Sequence, residues 1–443
     1  MRTLGKLGTS FAAAAAIGLT LAACTGSSSN GNSSASLAAA SGGNGCPSAG
    51  QNSNVVAPAG YKVCLFAAAT TTASHPDNVV VSGSDVFIGW QNITAKDGTD
   101  TKTSTITQYT TAGKLVHSWS VIGHTDGMRF DLSTHLLWVM CNEDGKPRLY
   151  TIDTTTKAVK HIILPPTPHG GGFDDVQIVG GKVFIDASNP TLTAAGKNPN
   201  PSLYSVVLSG NTAKLTNVLS GQPKATTINL PATSTTLNLT DPDSMMIGPN
   251  GELVLDSQGD SEMLFITSPG TPQQSVKVLS VGTQVDDTVF VPGSKGCLLV
   301  ADNNSGVFSI CSSVWVPGSA MTAAPSDSTV IGFVGTLNLS TGQIQPLITG
   351  LQNPHGMAWL RGECRTSPER IHDKPGQNWR RREQVKASAR WPHGGSRRGT
   401  RDSAARCSMQ QLRWFERRQR LGSSNHQRCR LHLRRPDVPA VGG

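Results

Sequence analysis

Apolar residues between positions 57 and 360 fall in short runs bounded by Gly, Asn, Pro, Asp and Ser, and the runs come in pairs. The clearest pair spans Pro242 to Asp256, PDSMMIGPNGELVLD. An acidic residue leads into a short apolar strand, a Pro-Asn-Gly turn of the kind that closes a hairpin, and a second apolar strand. Variants of this phrase begin at His75, His124, Phe173, Val285 and Pro354. Each run reads as a short strand, and the pairs as hairpins.

The phrases align at Asp77, Asp126, Asp174, Asp243, Asp286 and His355, with spacings of 49, 48, 69, 43 and 69 residues. Three of these lie near the 40 to 50 residues of a four-stranded propeller blade. The two long spacings hold Thr/Ser/Pro/Asn-rich stretches at 189–201 and 317–328, which read as loops. Between phrases, Thr105–Tyr109 with Leu115–Trp119 and Arg148–Ile152 with Val159–Leu164 supply further strand pairs. Four short antiparallel strands per unit predict an all-β, six-bladed β-propeller over 57–360. In this reading Val285 to Ala301 gives two strands of the fifth blade, and the sixth breaks off after Leu360. The last blade is then incomplete, and Tyr61–Phe66, expected to complete it, loses its partners.

Pro242-Asp-Ser-Met with Asn250-Gly-Glu-Leu-Val-Leu, Leu298-Leu-Val-Ala-Asp-Asn, and Asn353-Pro-His-Gly-Met-Ala resemble blades of NHL-repeat and gluconolactonase/regucalcin-like six-bladed propellers. The opening Gly60-Tyr-Lys-Val-Cys-Leu-Phe-Ala is similar to the first strand of many such bacterial domains. The resemblance implies architecture over about residues 57 to 360. It implies little about chemistry, because that superfamily holds lactonases, other hydrolases, lyases, dehydrogenases and binding modules.

Outside the repeats the composition changes. Arg2 and Lys6, an apolar stretch from Phe11 to Leu21 and Leu21-Ala-Ala-Cys24 look like a bacterial lipoprotein signal over 1–23, with Cys24 as the lipidated residue. A polar Ser/Gly-rich tether over 24–56 follows. The expected location is the bacterial cell envelope, with the membrane as partner through the anchor. Export permits disulfides. Cys297 and Cys311 are equidistant from Asn304 in an Asn/Ser/Gly turn, so a hairpin in that register sets them opposite each other; Cys46 with Cys64 is a second expected pair, and Cys141 is left over.

The formal net charge of +9 arises in one region. Residues 361–443 hold 21 of the 38 Lys+Arg and 7 of the 29 Asp+Glu, leaving 17 basic against 22 acidic residues before Arg361. No nucleic-acid surface is expected for the body, which reads as a monomer. The tail has nineteen arginines and no sustained strand alternation. Three readings are open for it: an out-of-frame translation, a solvated extension, or a basic arm with Trp379, Trp391 and Trp414 for stacking.

The superfamily that the chain resembles places the phrase position near the axial mouth, which implies that Asp77, Asp126, Asp174, Asp243, Asp286 and His355 ring that mouth. Carboxylates suit a divalent cation such as calcium, which would polarise a lactone or ester carbonyl; the alternative is that each Asp caps a turn. Gluconolactonase-like enzymes hold a cation with a first-blade Glu, two Asn and an Asp in a Pro-Asp-Gly phrase. Asp243 matches that Asp, with Ser244 in place of the Gly, and no first-blade Glu is found. The leading expectation is a lipid-anchored envelope propeller that binds a small molecule or protein partner at this mouth. The alternative is a metal-dependent lactonase or hydrolase.

Overall fold

The computed structural model describes residues 54–229, 231–326 and 331–361. Cys24, Cys46, most of the expected tether and the Arg-rich tail lie outside the described residues. Within them the chain is all-β, with no helix.

Strand β1 (Tyr61–Ala68) opens the body. The first blade is β2 (Pro76–Ser82), β3 (Asp85–Trp90), β4 (Thr103–Thr110) and β5 (Leu115–Ile122). The second is β6 (Thr125–Asp131), β7 (Leu136–Cys141), β8 (Arg148–Asp153) and β9 (Val159–Ile162). The third is β10 (Val176–Val179), β11 (Lys182–Asp186), β12 (Pro201–Ser209) and β13 (Thr212–Ser220). A hairpin of β14 (Lys224–Thr227) and β15 (Ser234–Thr236) precedes the fourth blade, β16 (Pro242–Ile247), β17 (Leu253–Ser257), β18 (Glu262–Thr267) and β19 (Ser275–Ser280), and β14 pairs parallel to β19 on its outer edge. The chain continues as β20 (Thr288–Phe290), β21 (Gly296–Asp302), β22 (Gly306–Ser312), β23 (Ala320–Ala324), β24 (Phe333–Leu337), β25 (Ile344–Ile348) and β26 (Pro354–Leu360).

The last two sheets correct the expected blade assignment. β20 pairs with β23, not β21, so the fifth blade runs β20-β23-β24-β25. The β21–β22 hairpin leaves that blade and enters the sixth, whose order is β26-β21-β22-β1. The sixth blade is therefore four-stranded rather than incomplete, and β1 is paired with β22 along Tyr61 to Ala68. The inserted hairpin accounts for the long spacing between Asp286 and His355. The stretch at 317–328, expected as a loop, contains β23; its Ala-Met-Thr-Ala-Ala composition has weak strand propensity but is fully buried.

Each blade is buried on both faces, which explains the continuous apolar runs in place of strict alternation. In β17, Leu253 and Leu255 pack toward the third blade while Val254 packs toward the fifth. In β21, Leu298 and Val300 face the fifth blade, and Cys297, Leu299 and Ala301 face the first. Successive side chains of one strand thus fill two different inter-blade cores. Six such cores, one at each blade boundary, close the ring.

The expected Cys297–Cys311 disulfide is present, joining residues directly opposed in the β21–β22 register. Cys64 is also disulfide-bonded; the pairing expected with Cys46 involves a residue outside the described ones. Cys141 is a buried free thiol. The Cys297–Cys311 link closes a short loop, with a sequence separation of 14, in the blade built from three chain segments. A Cys297→Ser/Cys311→Ser double variant is expected to lose about 3 kcal/mol of stability. Thermal or denaturant unfolding under non-reducing conditions measures this; an unchanged midpoint would show that the hairpin needs no cross-link.

Candidate functional site

A bulge places the phrase residues. Register shifts interrupt the inner-strand ladders between Pro76 and Val79, between Thr125 and Met128, and between Pro242 and Met245. The sixth blade has the equivalent shift, with Met357 and Pro354 paired on either side of His355 and Gly356. Two residues freed from pairing can turn toward the axis, which is how bulges re-aim side chains. In the third and fifth blades the pairs Asp174-Asp175 and Asp286-Asp287 precede the first ladder residue.

The first residue of each pair lines one cavity. Asp77, Asp126, Asp174, Asp243, Asp286 and His355 all border the same space of about 130 Å³. The structure therefore brings together all six rim residues read from the sequence. It adds Asp175 to the lining from the second positions, and Lys96 and Glu143 from the β3–β4 and β7–β8 connections. Lys96 and Glu143 carry no repeat signal, and sequence reasoning missed both.

Second positions hold the blades to one another. Asp175 Oδ2 accepts the Met245 N–H at 2.8 Å, and Asp287 Oδ2 accepts the Met357 N–H at 2.7 Å. Each ties the start of one inner strand to the next. Arg129 lies beneath the mouth, donating from Nη2 to Asp175 Oδ2 at 2.9 Å and to the Met245 carbonyl. Where the second residue is glycine, the neighbour approaches too closely for a side chain: a Cβ at Gly127 would lie 2.2 Å from Asp175 Oδ1, and one at Gly356 2.2 Å from the Asp77 carbonyl oxygen.

Two hydrogen-bonded sectors make up the rim. On one, His355 Nδ1 lies 2.6 Å from Asp286 Oδ2 and 3.5 Å from Asp77 Oδ1. Ser244 Oγ donates toward Asp286 Oδ1 and Asp243 Oδ1, at 2.8 and 2.9 Å. On the other, Gln91 Nε2 donates to Asp126 Oδ1 at 3.1 Å and Gln91 Oε1 accepts from Asn303 Nδ2 at 2.9 Å, while Lys96 Nζ pairs with Glu143 Oε1 at 2.6 Å.

The charge balance is lopsided: Asp77, Asp126, Glu143, Asp174, Asp175, Asp243 and Asp286 face the cavity against Lys96 and His355. Burial pushes the carboxyls of Asp77, Asp126, Asp174 and Asp243 well up, and neighbouring carboxylates push them further. Glu143 and Asp286 are the exceptions. Burial opposes their ionisation, but Lys96 outweighs it at Glu143 and His355 at Asp286, so both are lowered. Burial takes His124 the other way, down to about 4.

The other histidines separate. His169, which precedes Gly170-Gly-Gly172, is fully buried against Phe173 and Tyr204, with Nε2 hydrogen-bonded to the Gly172 carbonyl at 2.6 Å. That loop is packed, since a Cβ at Gly172 would lie 1.9 Å from the Asn142 carbonyl oxygen. His75 faces Asn303 Oδ1 at 3.1 Å.

The cation set implied by the gluconolactonase resemblance does not fit. The first blade contains no glutamate, and Asp243 Oδ1 is occupied by Ser244. No family model matches the chain, and no curated protein matches it. Solved structures similar to it include a protein named as a gluconolactonase, at 11% identity, with 67% of this chain and 84% of that one covered and a TM-score of 0.39. A Bacteroides fragilis protein named as a 6-phosphogluconolactonase gives 10%, 69%, 86% and 0.39. Virginiamycin B lyase from Staphylococcus aureus gives 10%, 67%, 99% and 0.36. These likenesses carry no activity over to this chain, and the six-bladed assignment rests on the sheet topology itself.

Asp287 provides a pH test. Burial, reinforced by Asp286 and Asp175 against the opposing Arg129, pushes it from the ordinary 3.8 up to about 7. A raised carboxyl favours the folded state below its unfolded value, and that contribution is lost as pH rises to the folded value. Asp287→Asn cannot ionise and can still accept the Met357 N–H. Its stability relative to the parent is expected to rise between pH 4 and pH 7 by roughly 2–4 kcal/mol. Parallel thermal melts across that range measure it, and a flat difference would show Asp287 titrating normally.

Proposed function

We propose that this protein is a lipid-anchored envelope propeller whose axial mouth binds a small, positively charged or metal-bearing ligand. The observation that carries the reading is the convergence of seven carboxylates on one cavity with a single lysine and a single histidine to balance them. A space of about 130 Å³ suits a small ligand better than a protein segment. Burial strengthens the attraction for a cation because the local dielectric is low. The anchor at Cys24 would hold this mouth at a membrane surface.

Thermal-shift measurements at low ionic strength test it with choline, agmatine, spermidine and divalent cations, against neutral sugars and carboxylates as controls. Stabilisation by cations that falls at least about tenfold in apparent affinity in an Asp174→Asn/Asp243→Asn variant is expected. Stabilisation by neutral or anionic compounds alone, unaffected by those substitutions, would overturn the reading.

A hydrolytic reading is favoured by one pair. Asp286 orients the His355 ring through Nδ1 at 2.6 Å, and Nε2 lies 2.8 Å from Asn353 Nδ2, so Nε2 serves as a general base once that amide turns away. His355 is only slightly exposed and faces the cavity. Under this reading the protein hydrolyses small lactones or esters, and His355→Ala lowers kcat by about 100-fold or more. A lactone and ester panel followed by pH-stat decides it; turnover that persists in the variant excludes His355 as the base.

A further inference from the structure

The wall of the mouth formed by the first two blades carries a donor set that the acidic ring does not explain. A ring nitrogen of His124 and carboxylate oxygens of Asp126 and Glu143 lie within 4.8 Å of one another. Among the described residues this is the one grouping of its kind. His124 Nε2 stands 3.6 Å from Asp126 Oδ1. Ligands about 2.1 Å from a metal are separated by about 3.0 Å at right angles and about 3.4 Å at tetrahedral angles, so the His124–Asp126 pair needs only a small inward movement and Glu143 is within reach of the same point.

Two atoms in this group have no other partner. His124 Nε2 and Asp126 Oδ2 make no hydrogen bond, although the residues are only 6% and 4% exposed. Buried polar atoms left unpaired are costly, and a metal would satisfy both.

The surroundings orient the donors. His124 Nδ1 lies 3.1 Å from the Thr94 carbonyl, a contact that places the proton on Nδ1 and the lone pair on Nε2. The His124 N–H donates to Asn142 Oδ1 at 2.8 Å, and the Asn142 N–H donates to the His124 carbonyl at 2.7 Å. Asn142 directly precedes Glu143, so one residue sets the positions of two donors. Asp126 Oδ1 is held by Gln91, leaving Oδ2 free to turn inward.

We propose that His124, Asp126 and Glu143 bind a first-row divalent transition metal of the zinc or cobalt type, with its remaining coordination positions open to the axial cavity. Imidazole nitrogen suits such metals, whereas calcium takes six to eight oxygens. Lys96 occupies the cation's place beside Glu143. Its Nζ is 2.6 Å from Oε1, yet its side chain is 58% exposed and free to swing into solvent. Metal and ammonium therefore compete for Glu143. This inference rests on the mouth as a cation-binding site and specifies the cation.

The test uses the full chain stripped with a chelator, then titrated with Co²⁺ by visible absorption and with Zn²⁺ or Ca²⁺ by calorimetry. One Co²⁺ and one Zn²⁺ site is expected, with Ca²⁺ at least about tenfold weaker. His124→Ala is expected to weaken Co²⁺ binding by about 100-fold. Lys96→Met, at an exposed position, is expected to tighten it about tenfold. Metal-free melts matching the parent establish that His124→Ala folds; should it not fold, Glu143→Gln replaces it. A folded parent that binds no Co²⁺, or affinities unchanged in the ligand variant and Lys96→Met, would overturn the site. Stabilisation by organic cations without Co²⁺ binding would sink the metal site and leave the wider reading of the mouth standing.

Discussion

Burial of both faces of every blade is the constraint on which the rest of the molecule depends. A sheet buried on one side can end at solvent, but these sheets are apolar on both sides and each needs two neighbours. Six sheets satisfy one another only by closing a ring. Closure in turn brings six inner strands to one axis and the six phrase positions, four of them set in bulges, to one rim. The crowding of Asp77, Asp126, Asp174, Asp243 and Asp286 around one cavity thus follows from hydrophobic packing elsewhere.

That crowding has an electrostatic cost, and the rim divides it unevenly. Second-position carboxylates such as Asp175 and Asp287 spend their oxygens on backbone N–H groups of the next blade and serve the ring itself. First-position carboxylates have less support. Asp286 is held ionised by His355, while Asp126 keeps an oxygen with no partner. A bound cation would relieve the repulsion and stabilise the fold by linkage, so occupancy of the mouth and stability of the ring are coupled quantities. The same coupling gives a physical reason for a lysine at the mouth: Lys96 supplies a tethered positive charge whether or not a ligand is present.

The repeated phrase made much of this legible in advance. An acidic residue, an apolar strand, a Gly/Asn turn and a second strand recur because each blade solves the same packing problem, so counting phrases predicted six blades and which residues share a rim. Strand partnership was less legible. Leu298–Ala301 follows Asp286 at the spacing of a second blade strand, yet it pairs with β26, because pairing is decided by which edge is open in three dimensions. β23 was hidden by its small residues, which owe their strand conformation to burial rather than propensity. Glu143 and Lys96 sit on connections, where no periodicity marks a position, and only the ring brings them to the phrase residues. His124 stood visibly at the head of a phrase, but its role depends on Thr94 and Asn142, which sequence spacing does not connect.

The sixth blade shows how far the ring constraint reaches. Its four strands come from three separated segments, β1, β21–β22 and β26. Long-range assembly of this kind carries a loop-closure cost that neighbouring strands within one hairpin avoid. The inner faces of the first and fifth blades supply the compensation, because without the sixth sheet Val79, Val86 and Ile88 on one side and Met321, Ala323 and Val334 on the other would face water. The Cys297–Cys311 bond pins the one hairpin that must leave its sequence neighbours to fill this place. Asp302 at its end accepts the Gln352 and Asn353 N–H groups, at 3.1 and 2.6 Å, and so sets the entry to β26 and the approach of His355 to Asp286. The segment that closes the hydrophobic ring is thus the one that delivers the histidine to the mouth.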